Sequence, residues 1–330
     1  MSRAVSLHGS RLPWQPGSTP LMLAPMQGLT NSALRAHFAE QVRPDVLFTE
    51  FMRVSPVAAV KRLSASDLRE IAPAECGVPL VVQLIGHGRE PLVSAAIAAQ
   101  EAGAAHLNLN MGCPYGRMAS GLTGGGMLRR PEELAEVIPP LREAVKGSFS
   151  VKIRAGYEDP EQILSLLPLF EAAGVDFIIL HPRTVVQEYG GEADHSITAR
   201  VVRNTRLPVI ANGDIRTAAD GRRVLEESGA AGLMLGRGAI ADPLLFRRLR
   251  GEADPSPDTA ARAAELASYL EGILPRYREL FCGDMQVLGK MKAIVSHQED
   301  AGLAKPLKEL RKAKSLAAFV AVLSGMSPHG

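Results

Sequence analysis

The sequence predicts an α/β fold, a (β/α)8 TIM barrel followed by a small C-terminal all-helical domain. Three observations predict it. Eight apolar runs of four or five residues recur over the first three quarters of the chain, rich in Val, Ile and Leu and without polar alternation. That is the pattern of parallel strands buried on both faces. Helix-prone segments separate the runs, which requires right-handed crossovers and a parallel sheet, and eight units favour closure into a barrel. A doubly wound open sheet would instead place a GxGxxG after its first strand, whereas the first run leads into Ala24-Pro25-Met26-Gln27-Gly28.

The expected strands are Leu21–Ala24, Val46–Thr49, Leu80–Leu84, His106–Asn110, Ser150–Arg154, Asp176–Leu180, Pro208–Asn212 and Gly232–Gly236. Between them, Glu90–Ala102 is Ala-rich and reads as a helix. Pro131 opens another, with Glu132 and Glu133 placed to favour its dipole. Pro139 and Pro140 should kink or end that helix early. Glu161–Ala173, Thr217–Ser228 and Pro243–Arg250 complete the alternation. The segment GEADPSPDT, with three acidic residues and two prolines, reads as a linker. Beyond it, Ala260–Leu274, Met285–His297 and Leu303–Leu323 read as helices, with no strand-like run. The expected division is a catalytic barrel over residues 1–250 and a helical domain over 251–330.

Composition narrows the function classes. The 330 residues are 46% hydrophobic and 22% charged, ordinary for a globular protein able to bury a large core. The three cysteines, Cys76, Cys113 and Cys282, form no CxxC pair, which argues against a zinc site or a disulfide framework and for a reducing, cytoplasmic setting. The first twenty residues are broken by Pro and Gly and match neither a signal peptide nor a membrane span. From Pro255 onward there are 10 Lys+Arg against 8 Asp+Glu, which accounts for the whole net charge of +2. The excess lies between Gln286 and Lys314, where seven basic residues face three acidic ones.

In such barrels the chemistry sits at the carboxyl ends of the strands. Read in order, those ends are Pro25-Met26, Glu50, Gln83, Asn110 with Cys113, Lys152 with Arg154, His181, Asn212-Gly213-Asp214 and Gly236-Arg237. Buried strands have no need of so many polar ends, since unsatisfied polar groups are costly to bury. Singly, each has a bland reading: a strand-end Asn satisfies a loop, a lone His is more often structural, a Lys can sit in a surface ion pair. Together they describe a site. The last two ends offer glycines and an Arg, suited to a phosphate. The Gly121–Met127 run lacks the Lys-Ser/Thr ending of a P-loop and reads as a flexible lid carrying Cys113 over a substrate. Cys113, held in a Gly–Cys–Pro turn, is the expected proton donor or nucleophile rather than a small buried hydrophobe. Cys76 and Cys282 read as incidental.

The ordered motifs LAPMQGLTN, TEFMRV, VQLIG, LNLNMGCP, VKIRAG, LHPRT, VIANGDI and LMLGRGA resemble the tRNA-dihydrouridine synthases from about Leu21 to Ala241. TEFMRV and the QEY segment look closest to the bacterial DusC-type branch, which modifies position 16 of the tRNA D-loop. The resemblance implies tightly bound FMN, with NADPH as its reductant. Pro25, Met26 and Gln27 match the stretch lining the flavin ring, and Gln83, Lys152 and His181 match flavin contacts. Asn212, Gly213, Asp214, Gly236 and Arg237 match binders of the ribityl phosphate. Cys113 matches the catalytic cysteine, and Asn110, Arg154 and Tyr189 match residues that hold the target uracil. Arg53 matches a tRNA contact. Two features depart from the family pattern: Tyr115 and Gly116 precede Arg117 after the cysteine, and HPRT replaces the commoner HGRT or HARS.

The implied chemistry reduces the uracil C5–C6 double bond. Reduced flavin delivers hydride to C6, and Cys113 protonates C5 from the opposite face. Lys152 and Arg154 stabilise negative charge, Asn110 pairs with the uracil edge, and the base must leave the tRNA stack. The basic tail then supplies a phosphate footprint, with Lys290 and Lys292 as expected substrate contacts and Lys308, Arg311 and Lys312 sharing one helix face. An ordinary solvated face is the bland alternative. The expected protein is a monomer with no membrane association. Two other readings compete: an FMN barrel oxidoreductase for a small pyrimidine metabolite, such as a dihydroorotate dehydrogenase, and a barrel that has lost flavin chemistry and only binds RNA.

Overall fold

The computed structural model describes residues 11–57, 62–72, 77–114 and 121–326. Nine strand segments make one parallel sheet: β1 (Leu21–Leu23), β2 (Leu47–Phe48), β3 (Met52–Arg53), β4 (Leu80–Ile85), β5 (His106–Met111), β6 (Phe149–Arg154), β7 (Phe177–His181), β8 (Val209–Asn212) and β9 (Gly232–Leu235). The order is β1-β9-β8-β7-β6-β5-β4-β2, and a bridge between Met22 and Val46 closes the ring. This is the eight-unit barrel expected. The second barrel position is divided between β2 and β3, both paired with β4, and β3 has no counterpart among the expected runs.

The barrel interior is filled by Met22, Val46, Phe48, Val81, Phe177, Ile179, Ile210 and Met234. Trp14 packs edge-on against Phe177 at 4.8 Å, joining this interior cluster with Leu12. Above the apolar layer lies a polar one. Thr49 Oγ1 accepts from the Gln83 amide, Gln83 Nε2 donates to Asn108 Oδ1, and Asn108 Nδ2 donates to Ser150 Oγ. Four neighbouring strand positions are thus tied by buried hydrogen bonds, which fixes the floor of whatever sits above them.

Most expected helices form, at Arg89–Glu101, Gln162–Ala173, Ala218–Ser228 and Leu245–Arg250. Ser32–Gln41 and His195–Asn204 are helices that the apolar pattern did not predict. The segment opened by Pro131 is a 3-10 turn, Pro131–Glu133, continuing into a helix, Leu134–Ala144. That helix runs through Pro139 and Pro140, contrary to expectation. The carbonyls deprived of amide partners are those of Ala135 and Glu136, both at exposed positions where water can replace them, while Leu134, Val137, Ile138 and Leu141 keep the buried face.

The tail has four helices, Thr259–Leu280, Asp284–Ser296, Ala304–Lys312 and Leu316–Ser324. The single helix expected over Leu303–Leu323 is broken, because Ser315 caps a new helix by accepting from the Ala318 amide. The tail shares its apolar core with the barrel. Phe38 packs edge-to-face against both Phe246 and Tyr269, and one cluster runs from Leu21 and Leu34 to Phe319 and Leu323. No helix among the described residues is long and apolar enough to cross a membrane.

Candidate active site

A cavity of about 520 Å³ opens at the carboxyl mouth of the barrel, within the range of cofactor and ligand sites. Ten of the expected cofactor contacts line it, Pro25, Met26, Gln27, Lys152, His181, Asn212, Gly213, Asp214, Gly236 and Arg237, together with Cys113, Asn110, Arg154 and Tyr189. Gln83 lies one layer below. It is fully buried and shared between Asn108 and Asn110.

Cys113 leaves β5 on a turn that Asn110 builds. Asn110 Oδ1 accepts from the Gly112 and Cys113 amides at 3.1 and 3.0 Å, and its Nδ2 donates to Gln83 Oε1. The asparagine therefore transmits the rigid polar floor to the thiol. The Gly124–Arg129 segment is a buried 3-10 turn, which corrects the expected lid. The Gly125 amide donates to the Cys113 carbonyl at 3.0 Å, and a Cβ there would stand 2.8 Å from Val185 and 2.9 Å from the Cys113 carbonyl oxygen. The glycines are small because they pass beneath the cysteine. Tyr115, Gly116 and Arg117 lie outside the described residues, as does Cys76.

On the neighbouring strand β6, Lys152 is paired in register with Asn110, and its Nζ donates to Asn212 Oδ1 at 2.8 Å. Burial, with the Arg154 charge, brings Lys152 down to about 7, and the Cys113 thiol works the other way. His181 is pushed well below its ordinary value by burial and then by Lys152, Arg154 and Arg183. It is therefore neutral at pH 7. Its Nδ1 receives the Arg183 amide at 3.5 Å, which leaves Nε2 as the protonated nitrogen, near Gly213.

Two buried arginines hold the loop after β7. Arg154 donates to the carbonyls of Gly112, Thr184 and Glu188. Arg183 donates to those of Gly190 and Gly191 and pairs with Asp214 at 2.6 Å. Tyr189, on this loop, has the Arg154 guanidinium 5.3 Å and the Arg237 guanidinium 4.8 Å from its ring centre. Arg154 thus shapes the pocket through the backbone as well as facing it.

The third region is the glycine-rich end. Gly213 has φ +127, and a Cβ would meet Ala193 at 2.9 Å, so only glycine fits. His195 Nε2 lies 3.0 Å from the Gly213 carbonyl and orients it. The Asp214 carboxylate is held below its usual range chiefly by Arg183, through a hydrogen bond and its charge, and also by the Ala193 amide and Arg237, against a burial penalty. Its carboxylate pairs with both Arg183 and Arg237.

The remaining expected residues are more scattered. Arg53 is exposed, with its guanidinium 5.4 Å from the Phe51 ring centre, beside a second groove that includes Arg62 and Thr123. Lys290 Nζ donates to the Gly28 carbonyl at 3.0 Å and lies over Phe281. Lys292 follows on the same helix, half-buried. Glu50 accepts from the Gly28 amide, and burial raises its pKa. Arg311 departs from its expected place on a basic face. Its guanidinium donates to the Val295 and Gln298 carbonyls, so it caps the preceding helix. The strand-end logic missed Phe51, Arg216 and His297, all of which line the cavity. Arg216 lies two residues past Asp214, within reach of that logic, whereas His297 comes from the tail, to which strand ends are blind.

Comparison with known proteins adds an independent line. The family model described as "Dihydrouridine synthase (Dus)" matches residues 22–319. A probable tRNA-dihydrouridine synthase of Rhodobacter capsulatus is 36% identical over 268 residues, covering 78% of this chain and 81% of that protein. A tRNA-dihydrouridine(16) synthase of Pseudomonas putida is 35% identical, covering 71% and 74%. Tertiary structure is similar to that of morphinone reductase, with TM-score 0.53 and 15% identity over 74% of this chain and 88% of that one. At that identity the likeness concerns the fold.

Proposed function

The chain belongs to the dihydrouridine synthase family, and from that premise we propose that it uses FMN and NADPH to reduce a D-loop uridine of tRNA, at position 16, with Cys113 as the proton donor. It is an oxidoreductase that forms dihydrouridine in tRNA. The observation that carries the finer reading is a single cavity that Cys113 shares with Lys152, His181 and the glycine-rich end.

The residues present suit a flavin. Ala24, Pro25 and Met26 give an apolar wall. Lys152 and the His181 Nε2–H offer donors, and Gly213 and Gly236 leave room beside Arg237 for a phosphate. Bound flavin, once reduced by NADPH, would supply a hydride to uracil C6. Cys113 Sγ gives up its proton to C5, and solvent returns one to the thiolate. A thiol suits this role because it is mostly protonated at neutral pH. Lys152, close to 7, carries charge readily when an anion arrives beside it. Asn110 and Gly125 hold the Cys113 turn, and Tyr189, steadied by Arg154 and Arg237, forms the rim against which an extruded base stacks.

The barrel, residues 1–250, carries this chemistry in a cytoplasmic monomer, while residues 251–330 contribute RNA contacts through Lys290, Lys292, Lys308 and Lys312, and Arg53 adds one from the groove it lines with Arg62. The position-16 assignment is supported by the TEFMRV and QEY segments and by the name of the Pseudomonas putida relative. The test is NADPH oxidation by the purified flavoprotein with and without an unmodified tRNA transcript, followed by mapping of dihydrouridine. Oxidation should depend on the transcript, with product at position 16. Turnover with a free pyrimidine and none with tRNA would overturn the reading.

A further inference from the structure

The cavity's glycine-rich end has a visitor from the tail. His297 is the C-cap residue of helix Asp284–Ser296 and lines the cavity with Arg216, Gly236 and Arg237. We propose that His297 is a phosphate ligand of the cofactor, so that docking of the helical tail completes the cofactor site. This deepens the reading above and rests on it.

The position of His297 is fixed from several directions. The next residue, Gln298, is buried and donates Nε2 to the Ile240 carbonyl at 2.7 Å. Ile240 belongs to the short helix Arg237–Ala241 that begins at the end of β9. Glu299 pairs with Arg216 at 2.8 Å. Arg311 ties the Val295 and Gln298 carbonyls from behind. A histidine that merely ended a helix in solvent would not need its neighbours bonded to the β8 and β9 loops.

The charge around it favours an anion. Arg237 lies near His297, and its nearest carboxylate, that of Asp214, is 3.6 Å away and more closely engaged by Arg183 at 2.6 Å. Glu299 is taken up by Arg216. Burial and then Arg237 hold His297 below its ordinary value, with Glu299 opposing. A phosphate dianion arriving between Arg237 and His297 relieves that repulsion and accepts a hydrogen bond from the imidazole, the kind of charge-assisted contact that is shorter and stronger than a neutral one.

The test compares two flavins that differ only in the phosphate. Flavin-stripped full-length wild type and His297→Ala are titrated with FMN and with riboflavin, following flavin fluorescence, and melting temperatures are recorded without flavin. The expected result is that His297→Ala binds FMN about ten-fold more weakly, binds riboflavin as wild type does, and melts as wild type does. His297→Gln, which keeps a donor, should recover part of the FMN affinity. Unchanged FMN affinity in His297→Ala overturns the assignment, as does an equal loss for both flavins, which would mark a purely structural residue. Wild type that binds neither flavin would overturn the cofactor reading itself. Wild type that prefers FMN, together with a variant whose preference is the same, overturns only the role of His297.

Discussion

Lys152 on β6 and Cys113 on the turn after β5 line one cavity, and each owes its behaviour to its neighbours. For Lys152, enclosure disfavours the charged form, and the fall to about 7 makes stability depend on pH. Its unfolded value is the ordinary 10.5, so between about 7 and 10.5 the unfolded chain binds the extra proton. Stability therefore rises with pH across that window, and below 7 the cost of the buried charge is fully present. Without flavin, wild type should gain stability relative to Lys152→Met by about 2 kcal/mol from pH 7 to pH 9. Urea midpoints of both proteins at the two pH values check this, and a constant difference would contradict it. For Cys113, the prediction concerns chemistry. Cys113→Ala should keep its flavin and be reduced by NADPH normally, yet reduce tRNA on the order of a hundred-fold or more slowly, the usual scale for a lost general acid. Rapid-mixing measurement of the two half-reactions separates these, and full dihydrouridine formation by the variant would remove Cys113 from the acid role.

The Cys113 turn depends on an element that carries no reactive group. The 3-10 turn Gly124–Arg129 supports Cys113 through the Gly125 amide, and Val185 closes the other side. A methyl group at Gly125 needs space that both neighbours occupy. Gly125→Ala should leave flavin content unchanged and slow tRNA reduction by roughly ten-fold to a hundred-fold, because small misplacements of reacting groups are costly. Flavin absorbance beside single-turnover rates gives the comparison, and a normal rate would show that the turn yields without moving the thiol. The proline pair in Leu134–Ala144 teaches a related lesson. A local rule about proline predicts a broken helix, but two exposed carbonyls can turn to water while the buried face continues to pack.

Across the molecule, the tail is joined to the barrel by a common apolar core and by polar contacts around the cavity rim. That placement sorts its basic residues. Lys308 and Lys312 are exposed on the helix Ala304–Lys312, whereas Arg311 is engaged with the carbonyls of the preceding helix. Lys308→Glu with Lys312→Glu should weaken tRNA binding uniformly across tRNA sequences and lower the salt slope by about one to two, with the melting temperature kept. Arg311→Glu should instead lower the melting temperature. Filter binding across a salt series and thermal melts distinguish the two. Unchanged binding in the double variant would move the RNA footprint to another face, such as that around Arg53.

The barrel, its eight strand positions to within a residue or two, and most of the cavity-lining side chains are legible in the amino-acid order alone. The reason is physical: strands buried on both faces leave continuous apolar runs, and a barrel gathers their carboxyl ends at one mouth, so order along the chain becomes proximity in space. How those side chains are used is visible only once the chain is folded. Asn110 turns out to brace Cys113, Arg154 and Arg183 to clamp a loop, the triple glycine to pass beneath the thiol, and Arg311 to cap a helix. Folding also brings His297 to the cavity from the far end of the chain. Hydrogen-bond partners distant in sequence, and the docking of one helix end on another, leave no periodic trace for a sequence reading to find.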